Sequence, residues 1–275
     1  MRRRFTPLLV SGLAVLGLAG PATAMTGGTD DGDAHPSVAA IFAYTPEGRA
    51  LCTATLVTPT VLLTAGHCTE GVYGRVLVDF DPVVAKEPPL PFTVADSTAG
   101  FTTQEVTDSG HQAGTAYTYG GFADFADRKA PNDVGVVVLD DPAPVAPASV
   151  APFGTLDAID TSALSKSDFT LVGYGAEVKK AGTGPATPQY YPLKRRTGSL
   201  NGHKVTPQIL ETNVGGVTAQ SCYGDSGGPV LYNGQVVAIT STGGSSSGKC
   251  NGVTQYQRVD VAEIEQWLAS PVPAS

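Results

Sequence analysis

Nowhere in this chain do twenty apolar residues run together. The longest candidate, Leu8 to Gly20, is broken by glycines and covers about 13 residues, well short of the ~20 that a membrane-spanning helix needs. Basic residues are scarce as well, 17 Lys and Arg against 25 Asp and Glu. An acidic surface repels both nucleic acid and anionic membrane, so neither is expected as a main partner. Charged residues of both signs make up only 15% of the chain, which argues against a helical, ion-pair-laced protein. No Cys-x-x-Cys pair occurs, and His67 is the only histidine beside a cysteine, so the sequence offers little to a zinc ion. The alternating strand and helix pattern of a parallel sheet is missing too.

What is present begins with an export signal. Arg2, Arg3 and Arg4 form a basic start, the short apolar run follows, and Ala22-Thr23-Ala24 supplies the small residues of a cleavage site. "RRRF" also partly matches a twin-arginine signal, which leaves the export route open between the two systems. Removing residues 1–24 leaves 14 basic and 25 acidic residues, a formal charge of −11. The remaining chain of about 250 residues suits one large β domain or two small ones. Its four cysteines, Cys52, Cys68, Cys222 and Cys250, form an even set in an exported protein and point to disulfides, with three pairings open.

Short β-branched or aliphatic runs recur between Gly and Pro turns: Val38–Phe42, Thr53–Val57, Val61–Thr64, Arg75–Phe80, Val134–Leu139, Thr170–Val172 and Val236–Thr240. They predict antiparallel strands of an all-β barrel or sandwich. One helix is predicted near the end. Asp260 and Glu263 resemble a capping box, Val261, Ile264, Trp267 and Leu268 share a face, and Pro271 stops it. Residues 81–130, with "EPPLP" and "YTYGGFADFADRKAP", are expected to be long surface loops, as is "KKAGTGPATPQ" (179–189).

Three segments carry chemistry. "CYGDSGGPV" (222–230) sets a serine among glycines that let backbone N–H groups approach a substrate carbonyl. A serine hydroxyl is a weak nucleophile and needs a base. "LTAGHC" (63–68) offers a histidine directly after a strand, and "NDVGVVVLDDP" (132–142) offers an acid at the entrance to an apolar strand. Each alone is weak evidence, since such runs also occur in plain turns. In the order His, Asp, Ser within one exported β-rich chain they are specific.

Together these segments resemble the signatures of the trypsin/chymotrypsin-like serine proteases, from "TGG" at the start of the mature chain to the Trp267 helix. The resemblance implies two antiparallel six-stranded β-barrels packed together with a short C-terminal helix, over residues 25–270, followed by a tail at 271–275. It implies Ser226 as nucleophile, His67 as general base and then acid, and Asp133 as the group orienting the imidazole. Asp140 and Asp141 are rivals for the last role, but they sit beside Pro142 at the far end of the strand. The backbone N–H groups of Gly224 and Ser226 would form the oxyanion hole. The pairs Cys52–Cys68 and Cys222–Cys250 would pin the histidine turn and the serine loop. Protein or peptide substrates follow, with proteinaceous inhibitors as partners, a monomer, no metal and no cofactor. His35, His111 and His203 match nothing and read as ordinary surface or loop residues.

The resemblance also bears on specificity and activation. The residue six before the serine, which sets the base of the primary pocket, is Gln220, followed by Ser221. An uncharged Gln220 does not predict selection for Lys or Arg. Ser241 and Gly243, in "ITSTGG" (239–244), resemble the wall that pairs with substrate backbone, and Thr254 would narrow the pocket. The absence of a histidine in that wall argues against a glutamate preference, leaving a medium, uncharged-to-polar one. Family members typically begin Ile-Val-Gly-Gly and pair the new α-ammonium with the acid before the serine. Here "MTGG" (25–28) would place Met25 against Asp225. Two other functions use the same residues: a protease-fold binding protein without catalysis, which usually lacks a triad member, and an esterase. Gly224-Asp225-Ser226-Gly227-Gly228 fits the Gly-x-Ser-x-Gly letters of the latter, but the order His, Asp, Ser does not fit the α/β-hydrolases.

Overall fold

The computed structural model describes residue 25 and residues 28–84, 96–178, 189–212, 219–243, 250 and 252–270. Six strands form a closed first barrel: β2 (Val38–Thr45), β3 (Gly48–Leu56), β4 (Val61–Thr64), β5 (Tyr73–Asp79), β6 (Gln112–Thr118) and β7 (Gly135–Leu139), in the order β2-β3-β4-β7-β6-β5. A second ring follows, made of β8 (Asp168–Gly173), β11 (Arg196–Val205), β12 (Ile209–Thr212), β13 (Pro229–Tyr232), β14 (Gln235–Gly243) and β15 (Thr254–Arg258). It closes through the pairing of β8 with β11. The short β1 (Thr29–Asp30) adds to the edge of β11, and β9 (Glu177–Val178) pairs with β10 (Gln189–Tyr190). All these pairings are antiparallel, as the resemblance implies.

The first barrel shows why its strands read as unbroken apolar runs. Along β2 successive side chains face opposite sides. Ala39, Ile41 and Ala43 join Leu62, Val76, Val78 and Val137 inside the barrel. Val38, Ala40, Phe42 and Tyr44 instead join Val172, Tyr174, Leu231, Val236 and Ile239 of the second barrel. No face is left for water, so no polar alternation is required. At roughly 1.5–3 kcal/mol for each fully buried aliphatic or aromatic side chain, this seam is a core and not a surface contact. The β13–β14 hairpin turns on Asn233 and Gly234, both with positive φ (51° and 77°), the Asn-Gly turn whose twist matches its strands.

Three helices complete the described chain: α1 (Thr103–Asp108), α2 (Thr161–Leu164) and α3 (Ala262–Leu268). None is long and apolar enough to cross a membrane. Several sequence expectations need correction. The stretch 81–130 is not loop throughout, because it carries α1, capped by Thr102 and Glu105, and the barrel strand β6. Asp260 does not cap α3, whose N-cap Val261 has no side-chain bond. Its carboxylate is drawn inside by the buried Arg258, at 2.8 and 3.0 Å, and by the Leu156 N–H at 2.7 Å. His111 is not a plain surface residue either: Nε2 lies 3.3 Å from the buried Asp79 carboxylate and Nδ1 2.8 Å from the Ser109 hydroxyl. Pro271, residues 1–24 and 179–188 lie outside the described residues.

Candidate active site

The histidine segment leaves β4 and turns at once into a 3₁₀ turn, Gly66–Cys68, after an extended Ala65. Cys68 is bonded to Cys52 on β3, which fastens the turn to the barrel wall. Cys222 is bonded to Cys250 in the same way beside the serine turn. Although Cys52, His67 and Cys68 converge, both sulfurs are consumed in the disulfide and cannot act as thiolates toward a metal.

Asp133 enters β7 fully buried, while Asp140 pairs with Arg75 and Asp141 is exposed at the far end of the strand. The Asp133 carboxylate accepts the His67 backbone N–H at 2.8 Å and faces His67 Nδ1 at 2.9 and 3.1 Å. It also accepts the Ser241 hydroxyl at 2.6 Å, and the Asp133 N–H donates to Gln257 Oε1 at 3.1 Å. Burial pushes this carboxyl's pKa up. The hydrogen bond and charge of His67, with the Ser241 hydroxyl, outweigh burial and hold it below the ordinary value. Since Ser241 and Gln257 lie on the second barrel and His67 on the first, the acid is gripped from both.

Ser226 lies in the turn that links Cys222 to β13. Its carbonyl accepts from Thr53 N–H at 2.8 Å. Gly227, at φ 76°, passes so close to the first barrel that a Cβ there would fall 2.0 Å from Thr64 Oγ1. The Tyr223 carbonyl is fixed by Ala176 N–H (2.7 Å) and the Asp225 carbonyl by Gly228 N–H (2.8 Å). In a trans peptide the N–H opposes the carbonyl, so the Gly224 and Ser226 N–H groups are turned the other way. Neither meets an acceptor among the described residues, and both residues line the cleft. Two preorganised donors of this kind suit an oxyanion.

Asp225, behind this turn, is fully buried and accepts Gly175 N–H at 2.7 Å and Cys222 N–H at 2.8 Å. Burial pushes its carboxyl up to about 7, with the two N–H bonds and the Arg196 charge acting against the rise. Met25 is fully buried in the apolar core of the second barrel, which it shares with Tyr256 and Ala219. In the continuous chain no hydrogen bond joins Met25 to Asp225 among the described residues.

The cleft has a volume of about 940 Å³, and both His67 and Ser226 line it. Ser221, Ser241, Gly243 and Thr254 line it as well, whereas Gln220 is half-buried and outside its lining. The Ser221 and Thr254 hydroxyls lie 3.3 Å apart. Among the described lining residues there is no carboxylate. Sequence reasoning missed the aromatic lining. Phe125 stands over the imidazole with ring centres 5.8 Å apart and is backed by Phe122 at 5.3 Å. Asp124 and Phe125 both adopt positive φ (46° and 58°), a conformation such side chains hold only when their surroundings impose it. Tyr191 and Tyr223 also line the cleft. The available signals were two phenylalanines three apart in a polar stretch and a tyrosine directly before Gly224.

Comparison with known proteins gives the same picture. The family described as trypsin matches residues 27–268. A trypsin of Saccharopolyspora erythraea is 27% identical over 220 residues, covering 76% of this chain and 82% of that protein. Among solved structures, HL collagenase superposes with a TM-score of 0.59 at 14% identity, over 87% of this chain and 95% of that one. Neuropsin, a serine protease expressed in the limbic system of mouse brain, superposes with a TM-score of 0.58 at 17% identity, over 89% and 98%. The two structures speak for the fold, and the family match over nearly the whole described chain speaks for the chemistry: this chain belongs to the trypsin family and is a serine-type endopeptidase.

Proposed function

We propose that the protein is an exported endopeptidase that cuts peptide bonds through an acyl-enzyme, with Ser226, His67 and Asp133 as its triad. The observation that carries this reading is the buried Asp133 carboxylate held against His67 on the cleft that Ser226 lines. In this scheme the Ser226 hydroxyl attacks the substrate carbonyl while His67 Nε2 takes its proton. Asp133 holds the other ring proton at Nδ1, which keeps the Nε2 lone pair available, and its charge stabilises the imidazolium. The Gly224 and Ser226 N–H groups receive the oxyanion, one such donor being worth ~3 kcal/mol. Collapse breaks the C–N bond, and His67 returns its proton to the departing amine. A water molecule, deprotonated by the same imidazole, then hydrolyses the ester and frees Ser226.

A fluorophosphonate probe tests the nucleophile directly. The folded, oxidised protein is expected to label, and the Ser226→Ala variant is not. Labelling that survives the substitution would refute the assignment, and a folded wild type that never labels would favour the binding-only alternative.

The cleft lining supports the reading of primary specificity. With no carboxylate among its described lining residues, and hydroxyls of Ser221 and Thr254 in its wall, a buried Lys or Arg would lack a counter-charge. The substrate class is therefore a peptide with a medium, uncharged side chain at the cut. Profiling a peptide library checks this, and a dominant Lys or Arg preference would overturn it.

Removal of residues 1–24 on export would free the Met25 amine to pair with Asp225. Support comes from a fully buried carboxylate with two N–H donors and, among the described residues, no cation hydrogen-bonded to it. An α-amine ordinarily titrates near ~7.7–8 and rises when paired, so the stabilisation is present at lower pH and lost as pH climbs through the raised value. N-terminal sequencing of active secreted protein decides the matter, since a start several residues from Met25 with full activity would sink the proposal.

A further inference from the structure

We propose that Lys194, Arg195 and Arg196 form a clamp on the N-terminal strand that sets how deeply residue 25 enters the molecule. Arg196 and Asp30 are then positioning residues for the oxyanion machinery. The inference rests on the reading that the Met25 amine pairs with Asp225.

Three consecutive basic residues in an acidic chain all turn to residues 28–32. Arg196 Nη1 donates to Asp30 Oδ1 at 2.6 Å, and its Nη2 donates to the Gly28 carbonyl. Lys194 Nζ lies 3.6 Å from Asp30 Oδ2. Arg195 Nε donates to Asp31 Oδ2 at 2.9 Å and its Nη2 to the Gly32 carbonyl at 2.7 Å. The ladder itself is only two residues long, Thr29 opposite Thr197 and Asp30 opposite Arg196, extended by one backbone bond from Asp31 N–H to the Arg195 carbonyl at 3.0 Å, a short pairing that is marginal by itself. The side chains supply what the ladder lacks. Register is restricted as well, because a Cβ at Gly28 would fall 2.9 Å from the Thr197 carbonyl oxygen. Sliding the strand so that Thr29 took the place of Gly28 would drive a side chain into that backbone.

Arg195 extends the grip to both barrels. Its Nη1 also reaches the carbonyls of Val38 (3.0 Å) and Phe80 (2.9 Å) on the first barrel and the Tyr174 hydroxyl (3.3 Å) on the second. A guanidinium this deeply buried is tolerated only because its donors find acceptors. Asp31 is held from its other side by His35, through the backbone N–H at 3.0 Å and Nδ1 at 2.5 Å.

What the clamp positions lies three residues upstream. The Gly28 N–H donates to the Met25 carbonyl at 2.9 Å, and Met25 is fully buried in the core cluster that also holds Tyr256. Arg196 stands opposite Gly173 of β8, where an added Cβ would fall 2.2 Å from Asp225 Oδ1, so the clamp and this carboxylate are neighbours. Three residues span roughly 10 Å at most. Fixing Gly28 therefore confines the freed amine to the neighbourhood of one carboxylate, a tether that raises its effective concentration there.

The test uses secreted protein whose first residue has been verified as Met25, as wild type, Arg196→Gln, Arg196→Lys and Asp30→Asn. Carbamylation of the α-amine by cyanate is followed by mass spectrometry, alongside kcat and KM on a chromogenic peptide and the melting temperature. Wild type is expected to be protected. Arg196→Gln should carbamylate about tenfold faster and lose about tenfold in kcat, equivalent to ~1.4 kcal/mol in the docking equilibrium, with KM little changed. Arg196→Lys should recover part of both. Asp30→Asn, which alters a largely exposed carboxylate, should move both in the same direction by less. Folded variants that keep wild-type protection and kcat would overturn the clamp and leave the pairing with Asp225 standing. A wild-type amine as reactive as that of an unfolded chain would overturn the pairing itself.

Discussion

Replacing Gly175 by alanine adds a single methyl group, and it should cripple the enzyme. The built Cβ would lie 2.3 Å from both Cγ and Oδ2 of Asp225 and 2.6 Å from Oδ1. The carboxylate has no free direction of retreat, because Oδ1 is held by Gly175 N–H and Oδ2 by Cys222 N–H. Losing one hydrogen bond to a charged group costs ~1.5–3 kcal/mol, and forcing a methyl into a filled site costs ~1–3 kcal/mol more. The ~0.4–1 kcal/mol that alanine gains by restricting the unfolded chain does not offset this. A net loss of about 4 kcal/mol lowers the melting temperature of a domain this size by ~8–16 °C. Because Asp225 separates the two proposed oxyanion donors in sequence, kcat/KM should also fall by at least ~100-fold, one donor's worth. Gly120→Ala serves as control: its Cβ meets nothing within 4 Å, so its stability should stay within ~0.5 kcal/mol of wild type. Calorimetry and peptide hydrolysis read both quantities. Wild-type melting and turnover in Gly175→Ala would show that Asp225 is not confined as described.

Asp133→Asn should alter the acid limb of stability. The native carboxyl titrates below its ordinary value of ~3.9, so its stabilisation is complete above that value and drains away as pH falls through the depressed one. Urea unfolding below about pH 4 should therefore steepen with acid in wild type and flatten in the variant. Phe125→Ala should raise KM about fivefold with kcat nearly unchanged, because the ring's ~1 kcal/mol of apolar burial stabilises ground and transition states alike; a large kcat effect would mean that the ring positions His67 instead. Converting Cys222 and Cys250 to alanine should cost about 3.5 kcal/mol in urea unfolding, and converting Cys52 and Cys68 about 3, since the bridges span 28 and 16 residues. A reversed order would point to native-state effects over loop entropy.

The residues brought together at the cleft were legible because each sits in a local pattern whose geometry is short-range: a histidine at a strand exit, an acid at a strand entrance, a serine among glycines. The first-barrel strands were legible for a related reason, since β2 and β7 are buried on both faces and write that burial as continuous aliphatics. What stayed hidden depends on partners remote in sequence. Strand β6, "QAGTAYT", has small and polar residues and looks like loop until its neighbours β5 and β7 flank it. Strand β15 buries Gln257 and Arg258, and Arg258 is tolerable only because Asp157 and Asp260 meet its guanidinium at 2.7–3.0 Å. Asp260 carries the sequence pattern of a helix cap and the structure of an ion-pair partner, and nothing near it in the chain separates the two. Ser241 lines the cleft, and its hydroxyl also turns to Asp133, a contact that nothing near it in the chain announces.

Thr53 gives the cleft a mechanical character. This buried residue of the first barrel donates its N–H to the Ser226 carbonyl (2.8 Å) and its hydroxyl to the Gly224 carbonyl (2.8 Å), while that hydroxyl accepts the Tyr174 N–H (3.1 Å). The Ser226 turn therefore belongs to the opposite half of the molecule as much as to its own. Two lobes stitched at this edge cannot hinge apart to admit a bulky substrate without unmaking the turn that carries Ser226. The cleft behaves as a fixed slot, and a polypeptide must bring an extended, pliable segment to it. A tightly folded protein should be cut only where it frays.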